Sequence, residues 1–208
     1  MAPSARKASR RAYAVQTFTS AADTIGTVEK DMSLFAITRG QFSMLDAVNA
    51  VIEQVGPCEV SAWTWAIADY EVECFEAFMA NSRIKAGRLI IDQSAEIRNA
   101  PIIQRWRDTF GDDQVRVCKN HAKIATVTTD EFRVLLRGSM NLNYNPRFEQ
   151  LDITEGGPDY DLVREIEDEL PVLRPKCSST EANMASQIGF AFEASELAMF
   201  SGIKTWAK

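Results

Sequence analysis

The 208-residue sequence predicts an α/β sandwich with a mixed, largely parallel central sheet flanked by helices. Three observations predict it. Short apolar runs at 33–38, 58–67, 83–92 and 114–120 alternate with stretches of helical periodicity at 43–55, 69–81 and 100–110. Leu89-Ile90-Ile91 is apolar at consecutive positions, as in a strand covered on both faces. After residue 120 two strand-like runs, 124–129 and 132–137, adjoin across Asp130-Glu131, as in an antiparallel hairpin.

Residues 1–30 are polar and non-periodic, and the basic segment 5–11 reads as part of a flexible arm. The α/β domain is expected over 31–175 and a C-terminal helical extension over 176–208. The first strand, 33–38, ends at Arg39-Gly40. In 43–55 the apolar residues Met44, Leu45, Val48, Val51, Ile52 and Val55 fall at helical spacing. Ser43 stands as N-cap with Asp46 three residues on, and Gly56-Pro57 ends the helix.

In 58–67 Ser61, Trp63 and Trp65 share one face, while Val60, Ala62 and Thr64 share the other. Trp63 and Trp65 suit either stacking on nucleotide bases or packing between sheet and helix. Asp69 opens the next helix, whose buried stripe is Val72, Phe75, Phe78 and Met79. Pro101 sits in the first turn of 100–110 and Gly111 closes it. Arg105 and Arg107 on that helix either touch a phosphate or face solvent. A last strand lies within 143–154. Gly156-Gly157-Pro158 then precedes a helix at 159–170, and a further helix is expected from about Thr180 to Phe200.

The apolar fraction, 46%, is that of a globular protein. No apolar run approaches the length of a membrane span, and no signal-type hydrophobic core opens the chain, so a soluble, cytoplasmic protein without a membrane partner is expected. Cys58, Cys74, Cys118 and Cys177 are scattered, as for reduced thiols. Cys118-x-x-His121 lacks a second ligand pair, so no metal and no cofactor is expected. The net charge of −6 counts against a generic nucleic-acid binder. The acids, however, concentrate in 159–169, a solvated helix face on this reading. Arginines and lysines spread over 83–147 leave room for a local positive groove.

One stretch carries chemistry. His121 and Lys123 are two residues apart at a strand end, so they point the same way. The hairpin returns Gly138-Ser139-x-Asn141 beside them. An imidazole, an ammonium, a hydroxyl and a carboxamide then share one sheet end, a set that suits a phosphate. This H-x-K followed by G-S-x-N resembles the signature of the phospholipase D superfamily, phosphodiesterases and nucleases with HxKx4D and GSxN motifs. The wording after Gly138 also resembles a phage- and prophage-encoded branch.

The family's aspartate would fall at Thr128, and the interval from Lys123 to Gly138 is a few residues longer than is usual in the family. The resemblance implies a two-step displacement through a phosphohistidine, with a second imidazole protonating the leaving oxygen. The chain has one histidine. Two copies, each donating His121, Lys123, Ser139 and Asn141, would therefore build a single site in a homodimer. The resemblance also implies a carboxylate that orients the imidazole, and Glu149 is the candidate. Trp63, Trp65, Arg137 and Asn143 are candidates for binding the substrate, DNA or RNA. The expected activity is metal-independent endonucleolytic cleavage. The alternative is an inactive nucleic-acid-binding or regulatory module that keeps the phosphate pocket.

Overall fold

The computed structural model describes residues 10–14, 19–144 and 146–172. The helix expected over about 180–200 lies outside the described residues. Among the described residues eight strands form one sheet: β1 (Arg10–Ala14), β2 (Ser33–Thr38), β3 (Cys58–Thr64), β4 (Ile84–Asp92), β5 (Val115–Cys118), β6 (Lys123–Thr128), β7 (Arg133–Gly138) and β8 (Glu149–Glu155). Their order is β1-β2-β8-β7-β6-β3-β4-β5. Pairing is parallel in β1–β2, β3–β4 and β4–β5 and antiparallel in the four pairs between β2 and β3. Six strands therefore run one way, with β6 and β8 against them, so the sheet is mixed and largely parallel in direction.

Parallel neighbours need crossovers, and helices supply them. The helices are α1 (Ala21–Ile25), α2 (Met44–Val55), α3 (Asp69–Ala80), α4 (Gln93–Arg98), α5 (Ala100–Phe110) and α6 (Pro158–Glu169). Ser43 caps α2 as its sequence predicts: its hydroxyl accepts from Asp46 N at 3.2 Å, and Asp46 accepts from Ser43 N at 2.7 Å. The start of α3 differs from expectation. Its N-cap is Ala68, and Glu71 takes the cap amide at 2.7 Å. The sequence offered no firm element before residue 31, yet Arg10–Ala14 forms an edge strand and Ser20 caps α1 with a capping box. The edge strand is amphipathic only weakly, so its pairing with β2 rather than its pattern defines it.

The two sheet faces are unequal. One carries the main core, where α2 contributes Met44, Leu45, Val48 and Val51 and the helices α3 and α5 contribute Phe75, Ile103 and Trp106. Phe75 and Trp106 rings lie 4.9 Å apart, and the indole donates to Gly87 O at 3.1 Å. The other face carries α6 over Leu135, Trp63 and Ile124, with Tyr160 and Val163 facing them. The acids of α6 form the solvated face expected, except for the buried Glu167, but several of them are engaged in ion pairs. Asp159 pairs with Arg137 and Asp161 with Arg133, while Arg88 bridges Glu167 and Asp168. Pairs as exposed as Arg133–Asp161 are each worth little, roughly 0–1 kcal/mol, but together they spend the arginines a positive groove would need. Arg105 likewise clasps Glu76, and the buried Arg107 binds Glu96 at 2.8 Å. Neither is available to a phosphate. Cys58 and Cys118 are buried and Cys74 half-buried. Among the described residues no helix is long and apolar enough to cross a membrane.

Gly138 ends β7 where only glycine fits, because a Cβ there would stand 2.0 Å from the Gln150 carbonyl oxygen. Backbone on a paired neighbouring strand has little room to give. Gly138→Ala is expected to lower unfolding free energy by at least about 1–3 kcal/mol, the usual cost of overpacking, measured by urea denaturation. A midpoint unchanged from wild type would contradict this close approach.

Candidate functional site

One edge of the sheet collects the residues of interest. The C-terminal ends of β2, β3, β4 and β7 share that edge with the N-terminal ends of the two reversed strands, β6 and β8. Register makes the meeting specific: Lys123 pairs with Gly138, Gly138 with Leu151, and Thr38 with Glu149. Residues far apart in sequence therefore stand side by side, as at the strand ends where open α/β sheets bind ligands.

His121 is exposed just before β6, whereas Lys123 is buried at 9% relative exposure. The Lys123 ammonium sits 3.1 Å from His121 Nδ1 and 3.2 Å from Nε2, and donates to the His121 carbonyl at 2.7 Å. Burial pulls the Lys123 pKa below its ordinary value, while the nearby Glu149 carboxylate works to raise it. Ser139 donates its hydroxyl to Glu149 and accepts from Gln150 N at 2.9 Å. Glu149 thus stands among Ser139 and Lys123, and its recorded hydrogen bond goes to the hydroxyl rather than to the imidazole. Asn141 docks through its backbone, accepting from Met44 N at 3.2 Å, and Leu142 O accepts from Leu45 N at 3.4 Å. Two amides of the first turn of α2 thereby hold the Ser139–Leu142 turn in place. Asn141 Oδ1 is buried with no hydrogen-bond partner.

The aromatic and cationic candidates divide. Trp65, just past β3, faces His121 with ring centroids 6.0 Å apart and lies under the Arg98 guanidinium at 5.0 Å. Trp63 is on the α6 face, where its indole donates to Glu167 at 2.7 Å. It is a packing residue there. Arg137 pairs with Ile124 across the β6–β7 ladder and binds Asp159 at 2.5 Å, on the α6 face away from Lys123. Asn143 is exposed in the loop after the turn. Thr128, where the resemblance places an aspartate, is an odd number of residues from Lys123 and bonds Tyr160 of α6. A carboxylate at 128 would face α6, so its replacement takes no group away from the imidazole.

Two supports escape the motif. Asn120 is buried, donates to Thr64 O at 3.2 Å and Ile90 O at 3.3 Å, and accepts from Ala122 N at 2.9 Å. Its own N–H donates to Asp92 Oδ2 at 3.0 Å. Asp92 also caps α4 through Ser94 N at 2.9 Å. Although burial opposes it, donors from Ser94 and Asn120 and the charge of Arg98 leave the Asp92 carboxyl below its ordinary range. Asn120 and Asp92 hold both sides of His121. The only sequence signal for Asn120 is an asparagine beside the motif at a strand end, and Asp92 shows only as a polar residue closing an apolar run.

No family model matches the sequence, and no curated protein matches it. Several solved structures are similar to it. Polyphosphate kinase from Porphyromonas gingivalis is 16% identical with a TM-score of 0.48, over 67% of this chain and 26% of that one. Phosphatidylserine synthase from Haemophilus influenzae is 14% identical with a TM-score of 0.47, over 80% and 46%. The archaeal chromatin protein TrmBL2, described with a novel mode of DNA binding, is 14% identical with a TM-score of 0.42, over 69% and 53%. The chain spans about a quarter of the first and about half of the other two.

The buried ammonium has a measurable consequence. Its folded-state pKa lies below the unfolded value, so between the two the unfolded chain binds more protons and stability rises with pH. Wild type is therefore expected to gain stability relative to Lys123→Met as pH climbs through the lowered pKa toward 10.5. At neutral pH the variant is expected to be the more stable. Paired denaturation curves at neutral and alkaline pH check this, and a difference that does not change with pH would contradict it.

Proposed function

We propose that the chain is a phosphoryl-transfer enzyme of the phospholipase D type, and specifically a metal-independent endonuclease acting on DNA or RNA as a homodimer. The observation that carries this reading is the Lys123 ammonium within 3.2 Å of both ring nitrogens of His121, with Ser139 and Glu149 at the adjoining strand ends. A buried cation beside an exposed imidazole suits a phosphodiester: the ammonium neutralises non-bridging oxygens while the ring reaches phosphorus.

The chemistry runs in two steps. A His121 ring nitrogen attacks phosphorus, forming the P–N bond as the P–O bond to the leaving group breaks. His121 of a second copy gives its proton to the leaving alkoxide. That same ring then takes a proton from water as the water oxygen attacks, and the P–N bond breaks to restore the nucleophile. Lys123 and Ser139 from both copies hold the oxyanion. One histidine per chain and its exposure at the sheet edge support the shared site.

With plasmid, single-stranded DNA and RNA offered in parallel, cleavage of at least one of them is expected to persist in EDTA and to fall in His121→Ala by more than the roughly 10²–10⁴-fold that general acid catalysis alone supplies. Equal inertness of both proteins across substrates would end the catalytic reading. Dilution tests the shared site: when wild type is mixed with excess His121→Ala and allowed to exchange subunits, activity is expected to follow the square of the wild-type fraction. A linear dependence would mean that one copy suffices.

A second reading has one observation in its favour. Lys123 is bonded to the His121 carbonyl and Ser139 to Glu149, so the donors are engaged internally. A module of that kind would bind nucleic acid and return it uncut, with Lys123→Ala weakening the binding.

A further inference from the structure

The sheet edge carries two exposed aromatic side chains, one on each side of the proposed phosphate site, and each is stacked with an arginine. Trp65, 38% exposed, follows β3 and lies under Arg98 at 5.0 Å. Phe148, 71% exposed, precedes β8 and lies under Arg39 at 5.3 Å. The strand order places β8, β7, β6 and β3 in succession. The row along the edge is then Phe148, Ser139, His121 with Lys123, and Trp65.

Neighbouring strands are about 4.8 Å apart, so three intervals separate the aromatics by roughly 14 Å. That span crosses the strands at right angles and is short enough for one strand of a few nucleotides. Large aromatics left in water at both ends of a polar site are hard to explain by packing, since neither belongs to either hydrophobic cluster. Each is backed by a guanidinium, which holds the ring and adds positive charge where a polyanion would pass.

Resting on the nuclease reading above, the geometry points to an unpaired nucleic-acid strand as the ligand. It lies across the sheet edge with one base on Trp65 and another on Phe148, so that the phosphate between them meets Lys123 and His121. A base stacks on an aromatic face only when its own face is free. Duplex, whose bases are stacked on each other, is excluded by this arrangement. Trp65 and Phe148 are then specificity residues, and Arg98 and Arg39 are positioning residues behind them.

The test is binding by fluorescence anisotropy to a labelled oligothymidylate, to the same backbone with abasic sites, to duplex, and to phosphatidylglycerol vesicles. The oligothymidylate is expected to bind tightest. Trp65→Ala and Phe148→Ala are each expected to weaken it roughly 5- to 150-fold, the range for loss of one stacked base, while Trp65→Phe keeps most of the affinity. The abasic strand is expected to bind wild type and both alanine variants about equally weakly. Circular dichroism checks that each variant is folded.

Abasic strand or duplex bound as tightly as oligothymidylate would overturn the inference, as would vesicles bound in preference to it. Inorganic phosphate, followed by ³¹P line broadening in wild type and Lys123→Ala, reports the pocket separately. Lys123-dependent phosphate binding with no effect of either aromatic substitution overturns stacking and leaves the phosphate site standing. Aromatic-dependent oligonucleotide binding with no Lys123-dependent phosphate binding overturns the phosphate site instead.

Discussion

The pairing of Lys123 with Gly138 is the contact on which the site depends. The close approach of β8 on the other side of Gly138 is made possible by a missing side chain, since the Gln150 carbonyl occupies the space a Cβ at 138 would fill. With that approach allowed, β8 closes on β7 and brings Glu149 to the Ser139 hydroxyl. A register shift of one residue in β6 would turn Lys123 to the α6 face and Ile124 into the core. Burial on both faces forbids the slip, because Ala125 and Val127 would leave the main core with it.

The same arrangement settles the electrostatics. An acidic protein does not need a basic surface if its few cations stand where an anion goes and the others are neutralised. The acids of α6 do the neutralising: they engage Arg88, Arg133, Arg137 and Arg164 on the far face of the sheet. Glu167 is fully buried there and takes hydrogen bonds from Ser61, Trp63 and Arg164, which offset the cost of burying a charge. Lys123 has less compensation. Its ammonium is held by an imidazole and a carbonyl, and burial disfavours its charge. A lysine kept in that state is understood by what it would meet rather than by what it adds to stability.

Rigidity around His121 comes from outside the hairpin. Asn120 ties the residue before His121 to β3 and β4, and its carboxamide fixes the amide just after it. Asp92 joins that network to α4, which also carries the arginine that stacks on Trp65. The loop bearing the imidazole is therefore fastened to three elements although the ring itself is exposed. This combination suits a group that must be accessible and still hold its direction.

Much of this was legible in the residue order. Helical spacing and the Ser43–Asp46 box located α2, consecutive apolar residues located β4, and the two-residue interval of His121 and Lys123 put both at one strand end, because these patterns act over a few residues of local backbone. What sequence could not decide was partnership. Trp63 and Trp65 have the same spacing and the same chemistry, yet one donates to Glu167 beneath α6 and the other meets His121 where the strand has ended. Arg137 follows the strand pattern as well as Lys123 does, but pleat parity sends it to Asp159. Arg10–Ala14 becomes a strand through an edge of β2 that lies beyond its own pattern. Composition and periodicity determined the elements and the chemistry on offer. The sheet order and its faces chose which groups meet, since side-chain direction and long-range pairing are properties of the assembled sheet and not of any segment in it.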